Sequence, residues 1–159
     1  MAAPPVVLVT GASRGLGRAL VRSLVDRKAR VVAVVRKQAD AASLEAEYGG
    51  SGFAVVTVLG DVTDPDVPAR AVGAAVVSFG RLDALINNAG ILEPLKRIAD
   101  VTPEEWTHMM TVNVVAPATF VRAALPELRK TEGVVINISS GAAVNVYEAW
   151  APYSAYVII

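Results

Sequence analysis

No cysteine occurs among the 159 residues, which excludes disulfides, thiolate metal sites and a cysteine nucleophile. There is one histidine, His108, and the scattered acids show no metal-ligand spacing, so no metal centre is expected and His108 reads as a surface residue of a helix. An excess of one charge is missing too. Fifteen Lys plus Arg balance fifteen Asp plus Glu, with no long like-charge run, and electrostatics gives no reason to expect nucleic acid or an anionic membrane as partner. No uninterrupted apolar run approaches the ~20 residues that span a bilayer. Met1 to Pro5 lacks the charged start of a secretory signal, so a cytoplasmic location is expected by default. Repeats, linkers and low-complexity tracts are absent.

What the chain has is apolar residues: 53% of it is hydrophobic and its mean hydropathy is +0.46, high for a soluble monomer. The length suits one domain with a well-buried core. Val6 to Thr10, Arg30 to Val35, Phe53 to Leu59, Ala84 to Ile86 and Val134 to Ile138 are β-branched apolar runs that read as strands covered on both faces. Helical patterns separate them. From Gly15 to about Arg27, Leu16, Leu20, Val21, Leu24 and Val25 form an apolar stripe, with Arg18, Arg22 and Asp26 on the other side. Weaker helical segments span Ala39 to Glu47 and Ala69 to Phe79, the latter with Asp64 or Asp66 as cap and Pro65 or Pro68 confined to its first turn. Thr102 and Glu105 form a capping box that opens Pro103 to Met110, and Asn113 to Lys130 reads as a long helix with Pro117 as a boundary or kink. The alternation predicts an α/β fold: a doubly wound parallel sheet of the Rossmann type, with helices on both faces.

Between the first strand and the first helix lies Thr10-Gly11-Ala12-Ser13-Arg14-Gly15-Leu16-Gly17. A dinucleotide pyrophosphate needs a backbone that comes close without Cβ atoms in the way, and unpaired N–H groups at a helix start; this turn supplies both. Its Gly-x-x-x-Gly-x-Gly spacing differs from Gly-x-Gly-x-x-Gly, and no Gly-Lys-Ser/Thr follows, which excludes a P-loop. The bland alternative is three turn and packing glycines. At the end of the second strand, where an NAD site commonly carries an acid for the ribose hydroxyls, stand Arg36 and Lys37. With Arg14, Arg36 can pair with a ribose 2′-phosphate that a carboxylate would repel. NADP(H) is therefore preferred over NAD(H), unless these are ordinary solvated charges.

Thr10 to Gly17, Asp61-Val62, Asn87-Asn88-Ala89-Gly90, Asn113 and the Ser140 and Tyr153 pair, in this order and at these separations, resemble the short-chain dehydrogenase/reductase family from Val6 to about Ala155. Within it, Gly90 to Pro94 and Ser139 to Tyr153 look most like the sepiapterin reductase and benzil reductase branch. The resemblance implies NADPH-dependent reduction of a carbonyl substrate, a ketone, diketone or pterin, and a chain able to form homo-oligomers. It implies that Asp61 accepts from the adenine amino group with Val62 beside it, and that Asn88, Ala89 and Gly90 pass under the adenine ribose. Asp61 as a cap and Asn87 and Asn88 as a turn remain the plain readings. Asn113, at the start of the long helix, would hold a backbone carbonyl and a proton-relaying water, or be a polar cap. Ser140, thirteen residues before Tyr153, would orient the carbonyl, with Ser139 its neighbour, and Tyr153 would protonate it as general acid.

The family pattern asks for Lys four residues after the tyrosine, to hold the nicotinamide ribose and lower the phenol pKa from about 10. Position 157 is Val157. The family would continue with a helix, further strands and a substrate loop, so the resemblance describes one incomplete dinucleotide-binding domain over 1–159, C-terminally truncated, with a fifth strand left as an open edge that favours association. The ending Tyr156 to Ile159 is expected to be a premature end. A weak or inactive catalyst, a non-catalytic NADP-binding module and an inactive truncated product are the readings this leaves.

Overall fold

A computed structural model describes residues 3–48, 54–145, 147–150 and 153–155. Val6–Thr10 (β1), Arg30–Val35 (β2), Val55–Leu59 (β3), Ala84–Asn87 (β4) and Val134–Asn137 (β5) form the strands. The helices are Gly15–Asp26 (α1), Gln38–Tyr48 (α2), Val67–Phe79 (α3), Pro103–Met110 (α4) and Ala116–Thr131 (α5). The strands make one five-stranded sheet in the order β3-β2-β1-β4-β5, parallel throughout. Phe53, expected to open the third strand, lies outside the described residues.

Strand alternation sorts the apolar residues into two layers. Val6 and Leu8 of β1, with Val32 and Val34 of β2, turn to α3 and α5, where they meet Ala71, Ala75, Phe120, Ala124 and Leu128. Val7, Val9, Val31 and Val35 turn the other way, against Val21 of α1 and Ala41, Leu44 and Tyr48 of α2. A continuous apolar run is what a strand buried on both faces requires, and β1 is buried at every position.

The same reasoning fails for β5, which is exposed along its length, with Val134 and Ile136 at 55% and 45%. It has β4 as its neighbour and borders the sheet, so it is not covered on both faces as its apolar run suggests, but forms the open edge that the family resemblance led us to expect. The long helix also departs from its expected start. Pro103–Met110 continues through a wide turn over Thr111–Val115, in which Ala116 N–H donates to Thr111 O, into α5. Asn113 therefore sits inside a helical run and not at its beginning. Pro117 has no N–H to give the carbonyl of Asn113, and the backbone widens just ahead of it. Taken together, Pro103–Thr131 is long and apolar enough by length and composition to cross a membrane; here Phe120, Ala124 and Leu128 pack it on the sheet. The capping box is formed as expected, Thr102 Oγ1 accepting from Glu105 N–H and Glu105 from Thr102 N–H. Asp66 takes the N-cap position of α3 without a side-chain cap bond.

Asp83 ties the start of β4 to the start of β1. Its carboxylate accepts Val6 N–H at 2.8 Å and a forked pair of bonds from Arg81. Partial burial opposes ionisation, but the Arg81 guanidinium and the Val6 N–H outweigh it and hold the carboxyl below the usual aspartate range. A depressed folded-state pKa stabilises the fold above about pH 4 and is lost as the pH falls through it. Asp83→Asn should therefore lower stability to urea at pH 6, and the gap to the parent chain should narrow as the pH falls below about 4; a gap that does not change with pH would remove the ion pair from the account.

Candidate functional site

All twelve residues singled out for the dinucleotide line one cavity of about 490 Å³: Gly11, Ser13, Arg14, Gly15, Leu16 and Gly17, then Arg36, Asp61, Val62, Asn88, Ala89 and Gly90. They come from the turn after β1 and the C-terminal ends of β2, β3 and β4, where the strand order reverses around β1 and open α/β sheets form their crevice. Leu16, read as part of the core stripe of α1, is 53% exposed because the first turn of that helix faces the crevice.

The turn is shaped by close approach. A Cβ on Gly17 would stand 2.1 Å from Gly11 O and 2.6 Å from Asn88 Nδ2, and one on Gly11, at φ +65°, 2.8 Å from Ala89 Cα. The space Gly17 leaves is filled by the Asn88 amide, which donates to Thr10 O and Gly11 O at 3.0 and 3.1 Å. Thr10 completes the clamp, since its hydroxyl accepts from both Asn88 N–H and Ala89 N–H at 3.0 Å. Leaving two half-buried N–H groups unpaired would cost about 1–3 kcal/mol each. Thr10 was not singled out from the sequence, although a hydroxyl ending an apolar strand just before the glycines is the available signal. Gly15 differs from its neighbours: its added Cβ would meet nothing within 4 Å. It faces the open cradle, at the start of a helix that no side chain caps, so N–H groups there are offered to an anion.

Arg36 and Asp61, expected to serve different parts of a ligand, pair across the cavity at 3.8 Å, both largely exposed. Partial burial opposes Asp61 ionisation, but the Thr63 N–H and hydroxyl, then the charges of Arg36 and His108, outweigh it and hold the carboxyl below the usual range. His108 is exposed, as its sequence position suggested, yet it lines this cavity. Its place four residues before Val112, on the same helix face, is the signal that would have found it.

A second cavity, about 600 Å³, shares Asn88, Ala89, Gly90 and Ile91 with the first and is lined further by Asn113, Val114, Pro117, Ser139 and Tyr153. The two are thus halves of one groove. Asn113 is held on both sides by one residue: its Oδ1 accepts Ile91 N–H and its Nδ2 donates to Ile91 O, each at 2.9 Å. That is the expected grip on a backbone carbonyl, achieved from within the helix. Below it, Asn87 Nδ2 donates to Asn137 Oδ1 at 2.9 Å and ties β4 to β5. Tyr153 lies edge-on to Trp150, ring centroids 5.5 Å apart. Ser140 is the exception among the expected residues. It caps the short helical turn Gly141–Ala143, its Oγ accepting Ala142 N–H at 3.3 Å, and Ser139 lines the cavity in its place. Val157 lies outside the described residues.

The short chain dehydrogenase family profile matches residues 5–156. An uncharacterized oxidoreductase of Schizosaccharomyces pombe is 41% identical over 151 residues, which are 95% of this chain and 59% of that protein. A benzil reductase of Saccharomyces cerevisiae that forms (S)-benzoin is 36% identical over 93% of this chain and 59% of its own length. The crystal structure of the KRED1-Pglu enzyme superposes with a TM-score of 0.91 at 38% identity, covering 97% of this chain and 64% of that one. The chain thus spans about three fifths of these relatives. Its sheet order, its glycine turn and these matches place it in the short-chain dehydrogenase family, whose members work with a nicotinamide dinucleotide, NAD or NADP.

Proposed function

We propose that the chain holds NADP(H) along the groove and presents a carbonyl compound, a ketone or diketone, to Tyr153, with turnover kept low by Val157. The observation that carries this reading is the continuity of the two cavities through Asn88, Ala89, Gly90 and Ile91. One half offers glycines, a helix start and cations; the other offers a phenol, a hydroxyl and apolar walls. The cradle beside Gly15 fits a pyrophosphate because a side chain there would fill it. Arg36, with Arg14, would take the 2′-phosphate, and Asp61 and Val62 the adenine. The nicotinamide, when bound, supplies hydride to a carbonyl carbon. Tyr153 would give its phenolic proton to the carbonyl oxygen, and a neighbouring hydroxyl would orient that oxygen; the spacing assigns Ser140 and the cavity lining offers Ser139. Asn113 braces the Ile91 backbone where the two halves meet.

Charge sign sets the test. Arg36→Asp should weaken NADPH binding by about tenfold or more, as a charge-assisted bond to phosphate becomes repulsion, and spare or improve NADH binding. An unchanged NADPH to NADH ratio in calorimetry would reduce Arg36 to a partner of Asp61. Val157 favours a second reading, a dinucleotide-binding module without catalysis, because valine neither donates nor carries charge. Micromolar NADPH binding with no oxidation of it by ketones would select that module.

A further inference from the structure

The helical wall of the groove carries a residue with no assigned role. His108 on α4 and Val112 in the following turn stand one helical turn apart on a single face, and both line the glycine-turn cavity. Val112 is 6% exposed and belongs to the core beneath, whereas His108 is exposed. Of the two, His108 is the one with a face free to meet a ligand.

Its place along the groove is fixed by its neighbours. His108 shares a hollow with Thr63, whose N–H and hydroxyl both donate to Asp61 Oδ1, and Asp61 is paired with Arg36. These residues follow β3 and β2, on the far side of β1 from Tyr153 and β5. His108 therefore belongs to the end of the groove remote from the phenol. On its other side, Glu104, Thr63, Thr107 and Thr111 share with it a shallow polar hollow. A planar ring of modest polarity, set between a carboxylate and an apolar wall, matches a purine, which offers a flat face and polar edges.

We propose that His108 is a nucleotide-binding residue, its imidazole packing against the adenine and closing that end of the groove on the α4 side. The inference rests on the cofactor reading above and extends it to a contact the family motifs do not include.

Adenosine 5′-monophosphate isolates the contact, because it carries the adenine without the 2′-phosphate or the nicotinamide. His108→Ala is expected to weaken this probe and NADPH by the same factor, about tenfold, the order of one lost base–ring stack. Arg36→Asp should weaken NADPH alone. His108→Phe keeps a flat ring and should bring both affinities back to within about threefold of the parent chain. An exposed position leaves folding intact, which unchanged circular dichroism and melting would verify. Adenosine monophosphate bound equally by parent and His108→Ala chains overturns the proposal, as does a loss confined to NADPH or a His108→Phe chain no better than His108→Ala. If the parent chain takes up neither nucleotide, the cofactor reading itself falls, and that outcome is distinct from a defect missing only in the His108 variants.

Discussion

Gly17→Ala is expected to cost the fold about 3 kcal/mol and to abolish NADPH binding, whereas Gly15→Ala, two residues away, should cost about 1 kcal/mol and still lose about tenfold or more in affinity. The contrast follows from where each new methyl would go. At Gly17 it would collide with Gly11 O at 2.1 Å and with Asn88 Nδ2 at 2.6 Å, so either the turn opens or the Asn88 amide leaves Thr10 O and Gly11 O. Both break the tie between β1 and the segment after β4. At 2–4 °C per kcal/mol for a chain of this size, the melting temperature should fall by about 6–12 °C. At Gly15 the φ of +54° strains an alanine, but no atom lies within 4 Å of the added Cβ. The methyl would stand in the cradle itself, where a pyrophosphate needs the backbone bare. Melting and calorimetry on the two variants separate scaffold from ligand contact. Gly15→Ala chain that holds NADPH as well as its parent would remove the turn from the site.

Val157→Lys is expected to raise ketone turnover by about 10²-fold, the lower part of the range that general acid–base assistance contributes. In the family pattern the lysine follows the tyrosine by four residues, and its charge would lower the pKa of a phenol that ordinarily loses its proton near 10. The gain should vanish when Tyr153→Phe is added, because the lysine acts through the phenol. NADPH consumption at saturating cofactor measures both chains. A lysine variant no faster than its parent would show that the missing ammonium is not what limits this chain.

The sequence made β1 and β2 legible to the residue because local chemistry ends both: a β-branched run stops at Gly11 in one case and at Arg36 in the other. The capping box set the start of α4 in the same way. Of the twelve cavity residues, those of the turn from Gly11 to Gly17 were readable from glycine spacing, which reports a ligand's needs, and Arg36 from its place after β2; Asp61, Val62, Asn88, Ala89 and Gly90 came from the family resemblance. What could not be read depended on distant contacts. Pro117 marked a boundary or kink near Asn113, but the bonds that hold Asn113 inside the helical run come from Ile91, 22 residues earlier, and these the sequence does not announce. Val134 to Ile136 has the composition of a covered strand; its place as an open edge was expected from the family resemblance and not from the strand's own residues. Ser140 accepts from Ala142 N–H while Ser139 lines the cavity, and spacing alone does not register such a local bond.

The sheltering of the sheet is uneven along the groove. The turn that would receive the phosphates rises from β1, which has a paired strand on each side and helices above and below, while Ser139 and Tyr153 gather at the end of β5. Amides of β5 should be the first in the sheet to take up deuterium, and those of β1 and β2 among the last. An opening that begins at that border would loosen the reacting end and leave the adenosine end clasped. Under mild heat or denaturant, such a chain would lose its chemistry before it released its nucleotide.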